Sequence, residues 1–92
     1  MASKPRFAVR FTRPAEQDLK RIDRQFHRQI RDAIDKLKDG PRPFNSESLS
    51  GTAKGYFRLP TGEYRIVYSI DYAAREVYVT RIRHRGEVYR DA

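Results

Sequence analysis

The spacing of apolar positions along this chain switches between alternation and steps of three and four, and each switch marks an element. Phe7, Val9 and Phe11 alternate with Ala8, Arg10 and Thr12, the pattern of a half-buried strand. Thr12 or Arg13 then precedes Pro14, and proline is favoured in the first turn of a helix. Glu16 and Asp18 follow, where the helix dipole favours negative charge, while Ala15, Leu19 and Ile22 fall on one side. A second helix carries Phe26, Ile30, Ala33 or Ile34, and Leu37 at helical steps. Lys36 and Lys38 in its last turn, Gly40 just beyond, and Pro41 and Pro43 bring it to an end. Residues 42–53 form the longest irregular stretch, with Phe44 and Leu49 as its expected buried anchors.

Two runs of aromatic and branched residues, Tyr56–Pro60 and Glu63–Ile70, flank Thr61-Gly62 and predict a hairpin with those two residues as its loop. In that register Arg58 faces Arg65, while Phe57, Leu59, Tyr64 and Ile66 share the opposite face. Like charges directly opposite destabilise a sheet by roughly 0.2–1 kcal/mol. Such a pair either splays into solvent or holds an anion, most simply a phosphate, between its two forks. After a turn over Asp71–Arg75, Val77, Tyr78, Val79 and Ile82 predict a last strand whose pairing register the pattern leaves open. The expected order is β-α-α-β-β-β: an α+β domain spanning residues 1–92, a helical hairpin packed on an antiparallel sheet.

Charge sharpens this picture. Twenty Lys+Arg against twelve Asp+Glu give a net charge of +8, which favours an acidic partner such as nucleic acid, an anionic membrane or an acidic protein segment. The absence of cysteine removes disulfides, thiolate nucleophiles and cysteine metal sites together. No apolar run is long enough to span a membrane, and the charged N-terminus lacks the apolar segment of a secretory signal, so a cytoplasmic location is expected.

Candidate chemistry gathers near the end of the last strand, in Arg81-Ile-Arg-His-Arg-Gly-Glu-Val-Tyr-Arg90. His84 has the side chain suited to proton transfer near neutrality, although a histidine at a strand end is more often structural. His27 reads as a boundary residue of the second helix. Tyr89 offers a phenol that can give a proton or stack on a base, as well as simple packing. Arginine is not a practical base, but its fork grips phosphate and stabilises charge developing on phosphorus oxygens. Arg58, Arg65 and Arg85 then form a clamp, with Lys54, Tyr56 and Arg83 as further phosphate contacts and the proton-transfer groups sought among His84, Tyr89 and Lys54. No cluster of histidines and carboxylates has metal-ligand spacing, and no serine nucleophile motif is present; no cofactor is expected.

The run Gly55-Tyr-Phe-Arg-Leu…Gly62-Glu-Tyr-Arg-Ile-Val-Tyr68-Ser-Ile-Asp71, followed by Val79…Ile82-Arg-His-Arg-Gly-Glu-Val-Tyr89, closely resembles the RelE/ParE superfamily of type II toxins, with the RelE branch the nearer match. The resemblance covers essentially the whole chain. It implies a metal-independent endoribonuclease that cuts messenger RNA in the ribosomal A site by attack of a ribose 2′-hydroxyl on the adjacent phosphate. It also implies a cognate antitoxin, acidic and wrapped around the toxin in a hetero-oligomer, with ribosome and mRNA as the other partners. The family's strand arginine falls on Arg65, its post-strand arginine on Arg85 and its C-terminal tyrosine on Tyr89. Many relatives carry lysines before the hairpin turn where this chain has Tyr56 and Arg58, which moves the role of general base toward His84 or Tyr89. A ParE-like inhibitor of DNA gyrase without RNase activity is the alternative on the same fold, and a non-catalytic nucleic-acid-binding module is the third reading.

Overall fold

The computed structural model describes residues 6–51 and 54–86. Thr12 begins the first helix: its hydroxyl accepts the Ala15 N–H at 3.3 Å and also reaches the carbonyls of Val79 and Thr80. The cap therefore starts α1 (Arg13–Arg21) and docks it on the final strand in one step. Pro14 and Glu16 lie in the first turn as expected, but Asp18 is buried, turned away from the solvent. Asp23 caps a short 3₁₀ turn at Arg24–Phe26, and α2 (His27–Lys36) follows directly.

Among the described residues, five strands form one mixed sheet in the order β1-β5-β4-β3-β2. They are β1 (Ala8–Phe11), β2 (Glu47–Ser48), β3 (Tyr56–Thr61), β4 (Tyr64–Asp71) and β5 (Glu76–His84). The α+β architecture and element order follow the expectation, with two differences. The first strand lies parallel to β5 at the sheet edge, so the sheet is mixed rather than antiparallel. Two residues of the irregular stretch, Glu47 and Ser48, add a short edge strand on β3. Phe44 is no anchor: it is fully exposed, whereas Leu49 is half-buried.

One face of the sheet is the core. Leu59, Ile66, Tyr68, Val77, Val79 and Ile82 meet Ala15, Ile30, Ile34 and Leu37 from the helices. Tyr68 is completely buried and keeps its hydroxyl satisfied by donating to the Pro41 carbonyl at 2.7 Å. That bond ties the loop after α2 to the middle of the sheet.

The hairpin loop is Gly62-Glu63, one residue beyond the expected pair. Gly62 has φ +60° and Glu63 does not share a positive φ, the pattern of a type II′ turn with glycine first. Moving the loop by one residue moves each cross-strand partner by two. Arg58 thus lies opposite Val67, and Arg65 opposite Pro60, rather than opposite one another. A shift of two preserves side-chain parity, so both arginines still share the face away from the helices.

The last strand holds the decisive irregularity. Simple alternation would place Val77, Val79, Arg81 and Arg83 on one face. The β4–β5 ladder slips between Val67 and Tyr68, pairing Val67 with Arg81 and Tyr68 with Val79 and leaving Thr80 as the extra residue of a bulge. The Thr80 hydroxyl bonds the Val67 carbonyl at 3.1 Å. Beyond the bulge the parity reverses: Ile82 enters the core, and Arg81 and Arg83 turn to the open face.

Candidate functional site

The open face of the sheet is where the basic side chains gather. Arg65 on β4 lies directly opposite Arg83 on β5, so the like-charge pair anticipated for the hairpin is formed instead across the neighbouring strands. Arg58 is diagonal to this pair on β3, and Arg10 stands at the far edge on β1.

Carboxylates meet several of these arginines. Glu47, on the added edge strand, accepts from Arg58 Nε at 3.0 Å and from its terminal nitrogen. Its carboxyl is held below the usual carboxylate range, first by that hydrogen bond and the charge of Arg58, with Arg65 adding to the effect. At the other edge Glu76 accepts from Tyr78 and from Arg10 Nε. The Tyr78 hydrogen bond, followed by that of Arg10, lowers the Glu76 pKa, and the same Glu76 bond raises that of the Tyr78 phenol. Arg81 bends round the outer edge of β5, where Asp18 accepts its Nε at 2.8 Å and its terminal nitrogen at 3.0 Å.

His84 belongs to the other side. It lies opposite Tyr64 and packs edge-on against that ring, which in turn meets Phe26 beside the helices. Both its nitrogens are engaged: Nε2 lies 3.1 Å from Glu63 Oε1, and Nδ1 accepts the Gly86 N–H at 2.9 Å. An acceptor at Nδ1 places the ring proton on Nε2, facing the Glu63 carboxylate. His84 therefore leaves β5 with the opposite parity to Arg83, although the two still line one cleft at the strand end.

The remaining sequence candidates divide in the same way. Tyr56 is exposed at the start of β3 on the arginine face, opposite Ser69, and Lys54 is exposed in the turn just before it. Arg85 is exposed beyond β5, where its backbone N–H donates to the Glu63 carbonyl at 2.7 Å and so fastens the chain end to the hairpin tip. Tyr89 lies outside the described residues. Among the described residues no three His, Asp or Glu side chains converge as a metal site. Sequence reasoning missed Glu47, because a two-residue edge strand inside a polar loop leaves no periodic signal. It also missed Arg81 as a companion of Arg83 on the open face, whose only signal was the three-residue step from Val79 to Ile82 in the apolar pattern.

Comparison with known proteins places this geometry. No curated protein matches the chain. The chain is similar to solved structures of an archaeal RelE–RelB complex from Pyrococcus horikoshii (23% identity, TM-score 0.74, covering 89% of this chain and 98% of that one). It is also similar to the toxin–antitoxin complex RelBE2 from Mycobacterium tuberculosis (28% identity, TM-score 0.67, 86% and 98%). A third is the YoeB/ParE toxin from Agrobacterium tumefaciens (25% identity, TM-score 0.73, 85% and 98%). The family model described as "ParE toxin of type II toxin-antitoxin system, parDE" matches residues 9–89. By that match, and on the RelE-like sheet just described, the chain belongs to the ParE toxin family of type II toxin–antitoxin systems.

Proposed function

We propose that this toxin is a ribosome-dependent mRNA endoribonuclease of the RelE type, acting through attack of a ribose 2′-hydroxyl on the adjacent phosphate. The observation that carries this reading is Arg65 opposite Arg83 on an open sheet face, with Arg58 diagonal to them. Two guanidinium groups fixed by neighbouring strands bind the scissile phosphate and stabilise the additional negative charge of the pentacoordinate state. Arg85, at the strand end, adds a further cation to the leaving side. Lys54 and Tyr56 contact the flanking nucleotide from the start of β3. Tyr89, four residues beyond Arg85 in the sequence, supplies a phenol to stack or to protonate the leaving 5′-oxygen.

The base must stand on the same face as the phosphate clamp. His84 does not, whereas Glu47 does, ionised beside Arg58 and within the field of Arg65. Glu47 accepts the 2′-hydroxyl proton in this scheme, and His84 fastens the turn that carries Arg85. The partner in the cell is an acidic antitoxin segment that covers the basic face, in keeping with the RelE–RelB complexes the fold resembles.

A gyrase-directed toxin on the same fold is the second reading, favoured by the family model itself. Primer extension on translated messages after induction separates the two. New 5′ ends in phase with codons support the RNase; intact messages with arrested DNA replication overturn it in favour of gyrase.

A further inference from the structure

The open face of the sheet changes character at the end away from the hairpin tip. Tyr56 on β3 lies opposite Ser69 on β4, and Ser69 lies opposite Tyr78 on β5, so the three form one row across the sheet. Phe57, Tyr68, Val77 and Val79 beside them turn to the core, which leaves this row on the open face. Adjacent strands are about 4.8 Å apart, so the two tyrosines stand about 10 Å apart with only a serine between them. Aromatic rings stack with centroids about 4.5–7 Å apart, and a flat ring held over Ser69 reaches both. Val67, the next open-face residue along β4, is half-buried and gives the gap an apolar side. Tyr56 is exposed, whereas the Tyr78 hydroxyl donates to Glu76, which fixes that ring before any ligand arrives. Charge divides the face in the same sense. Glu76 lies opposite Asp71 at this end, and Arg10, which closes the row on β1, already donates to Glu76 at 2.7 Å. A phosphate is therefore less favoured here than beside Arg65 and Arg83.

We propose that Tyr56, Ser69 and Tyr78 form a slot for an unpaired nucleobase of the RNA strand whose phosphate lies at Arg65 and Arg83. The proposal rests on the RNA-cleaving reading above and deepens it by giving the strand a direction across the sheet. Arg65 and Ser69 are four residues apart on β4, about 13 Å at roughly 3.3 Å per residue. The base in the slot thus belongs to a nucleotide flanking the scissile phosphate. Every base has a π-face, so two tyrosines across a serine select single-stranded nucleic acid without choosing among the four bases. A duplex, whose bases are already stacked on one another, has none to offer.

The test uses the isotope-labelled chain, a short single-stranded RNA made uncleavable by 2′-O-methylation, and copies of that RNA with one abasic residue at successive positions. NMR follows the tyrosine rings and arginine Nε–H groups, and fluorescence anisotropy gives the affinity. Ring-current shifts are expected at Tyr56 and Tyr78, together with shifts at Arg65. Tyr56→Ala should weaken binding at least about fivefold, the low end of what one stacked base contributes, and Tyr56→Phe should recover it because only the ring is needed. Ser69→Leu, which fills the gap, should weaken binding to a similar degree. Removing the base at one position of the RNA should cancel the effect of Tyr56→Ala; a loss that no abasic position relieves overturns the slot. Wild-type affinity in Tyr56→Ala, or shifts at Arg65 with none at either tyrosine, overturns the slot and leaves the phosphate clamp standing. Shifts at neither the tyrosines nor Arg65 overturn the RNA reading of this face with it.

Discussion

Arg65 projects from the middle of β4, where the backbone is paired on both sides by β3 and β5, so its fork is positioned before the substrate arrives. Removing one preorganised donor of this kind typically lowers turnover by about 10²–10³-fold. Arg65→Ala should show that loss in single-turnover cleavage on programmed ribosomes at saturating toxin, with a much smaller change in binding; wild-type cleavage at saturation would refute its catalytic role. Arg65→Lys should recover only part, because a point charge lacks the bidentate geometry. The identity of the base is testable by pH. Arg58 depresses the Glu47 pKa, so Glu47 stays ionised until the pH falls below the ordinary carboxylate range, and its contribution disappears only there. Cleavage should hold level from pH 8 down to about 5 and be strongly reduced by Glu47→Gln; wild-type cleavage in Glu47→Gln would take the role of base away from Glu47. The sequence made the arginines legible, since strand parity survives a register error of two, and Arg58 and Arg65 kept their shared face. His84 leaving that face was harder to read, because the bulge at Thr80 shows in the sequence only as the three-residue step from Val79 to Ile82, which breaks alternation without saying which residue is extra.

At the scale of elements, the end of β5 is secured by a side chain in place of a strand. β1 stops at Phe11, and beyond it Asp18 of α1 takes the Ile82 N–H, so a carboxylate occupies the position of the next ladder carbonyl. This explains why an acidic residue expected to serve the helix dipole is buried instead. Asp18→Ala leaves a buried N–H unsatisfied and removes the carboxylate that holds Arg81, which should destabilise the domain by roughly 1–3 kcal/mol in denaturant titration. A loss below about 0.5 kcal/mol would show that water replaces the carboxylate there. The hairpin tip is equally specific. Gly62 needs its positive φ, and a Cβ there would come within 2.1 Å of Gln29 Nε2, although that exposed amide can swing away. Gly62→Ala should therefore cost about 1–2 kcal/mol, mostly from the backbone. The element order was readable from periodicity because caps, prolines and alternation agreed with one another. The parallel pairing of β1 was not, because parallel and antiparallel neighbours present the same alternation and are distinguished only by the path of the chain through α1 and α2.

Over the whole molecule, the net charge of +8 is spread widely while the proposed chemistry uses a few fixed arginines. On the proposed RNase reading, long-range attraction to ribosomal RNA and the clamp on the scissile phosphate would be separable uses of the same excess charge. Arg10, Arg58 and Arg81 each meet a carboxylate, and such partners orient the side chain while reducing its pull on a distant polyanion. Arg24 is different: it is exposed on the 3₁₀ turn between the helices, away from the arginine face of the sheet, and in the proposed scheme its charge would serve encounter rather than chemistry. Each cation that displaces a counterion from phosphate adds about one unit to the dependence of log affinity on log salt. Arg24→Ala should accordingly weaken ribosome binding a few-fold at low salt, reduce that slope by about one unit, and leave the saturated cleavage rate at the wild-type value. Arg65→Ala should do the reverse, lowering the saturated rate with little change in slope. The two variants are to be compared by sedimentation binding across a salt series and by single-turnover cleavage on the same ribosomes. If Arg24→Ala slows cleavage at saturation as severely as Arg65→Ala, the division of labour between surface charge and clamp is wrong, because the helical side would then take part in the transition state itself.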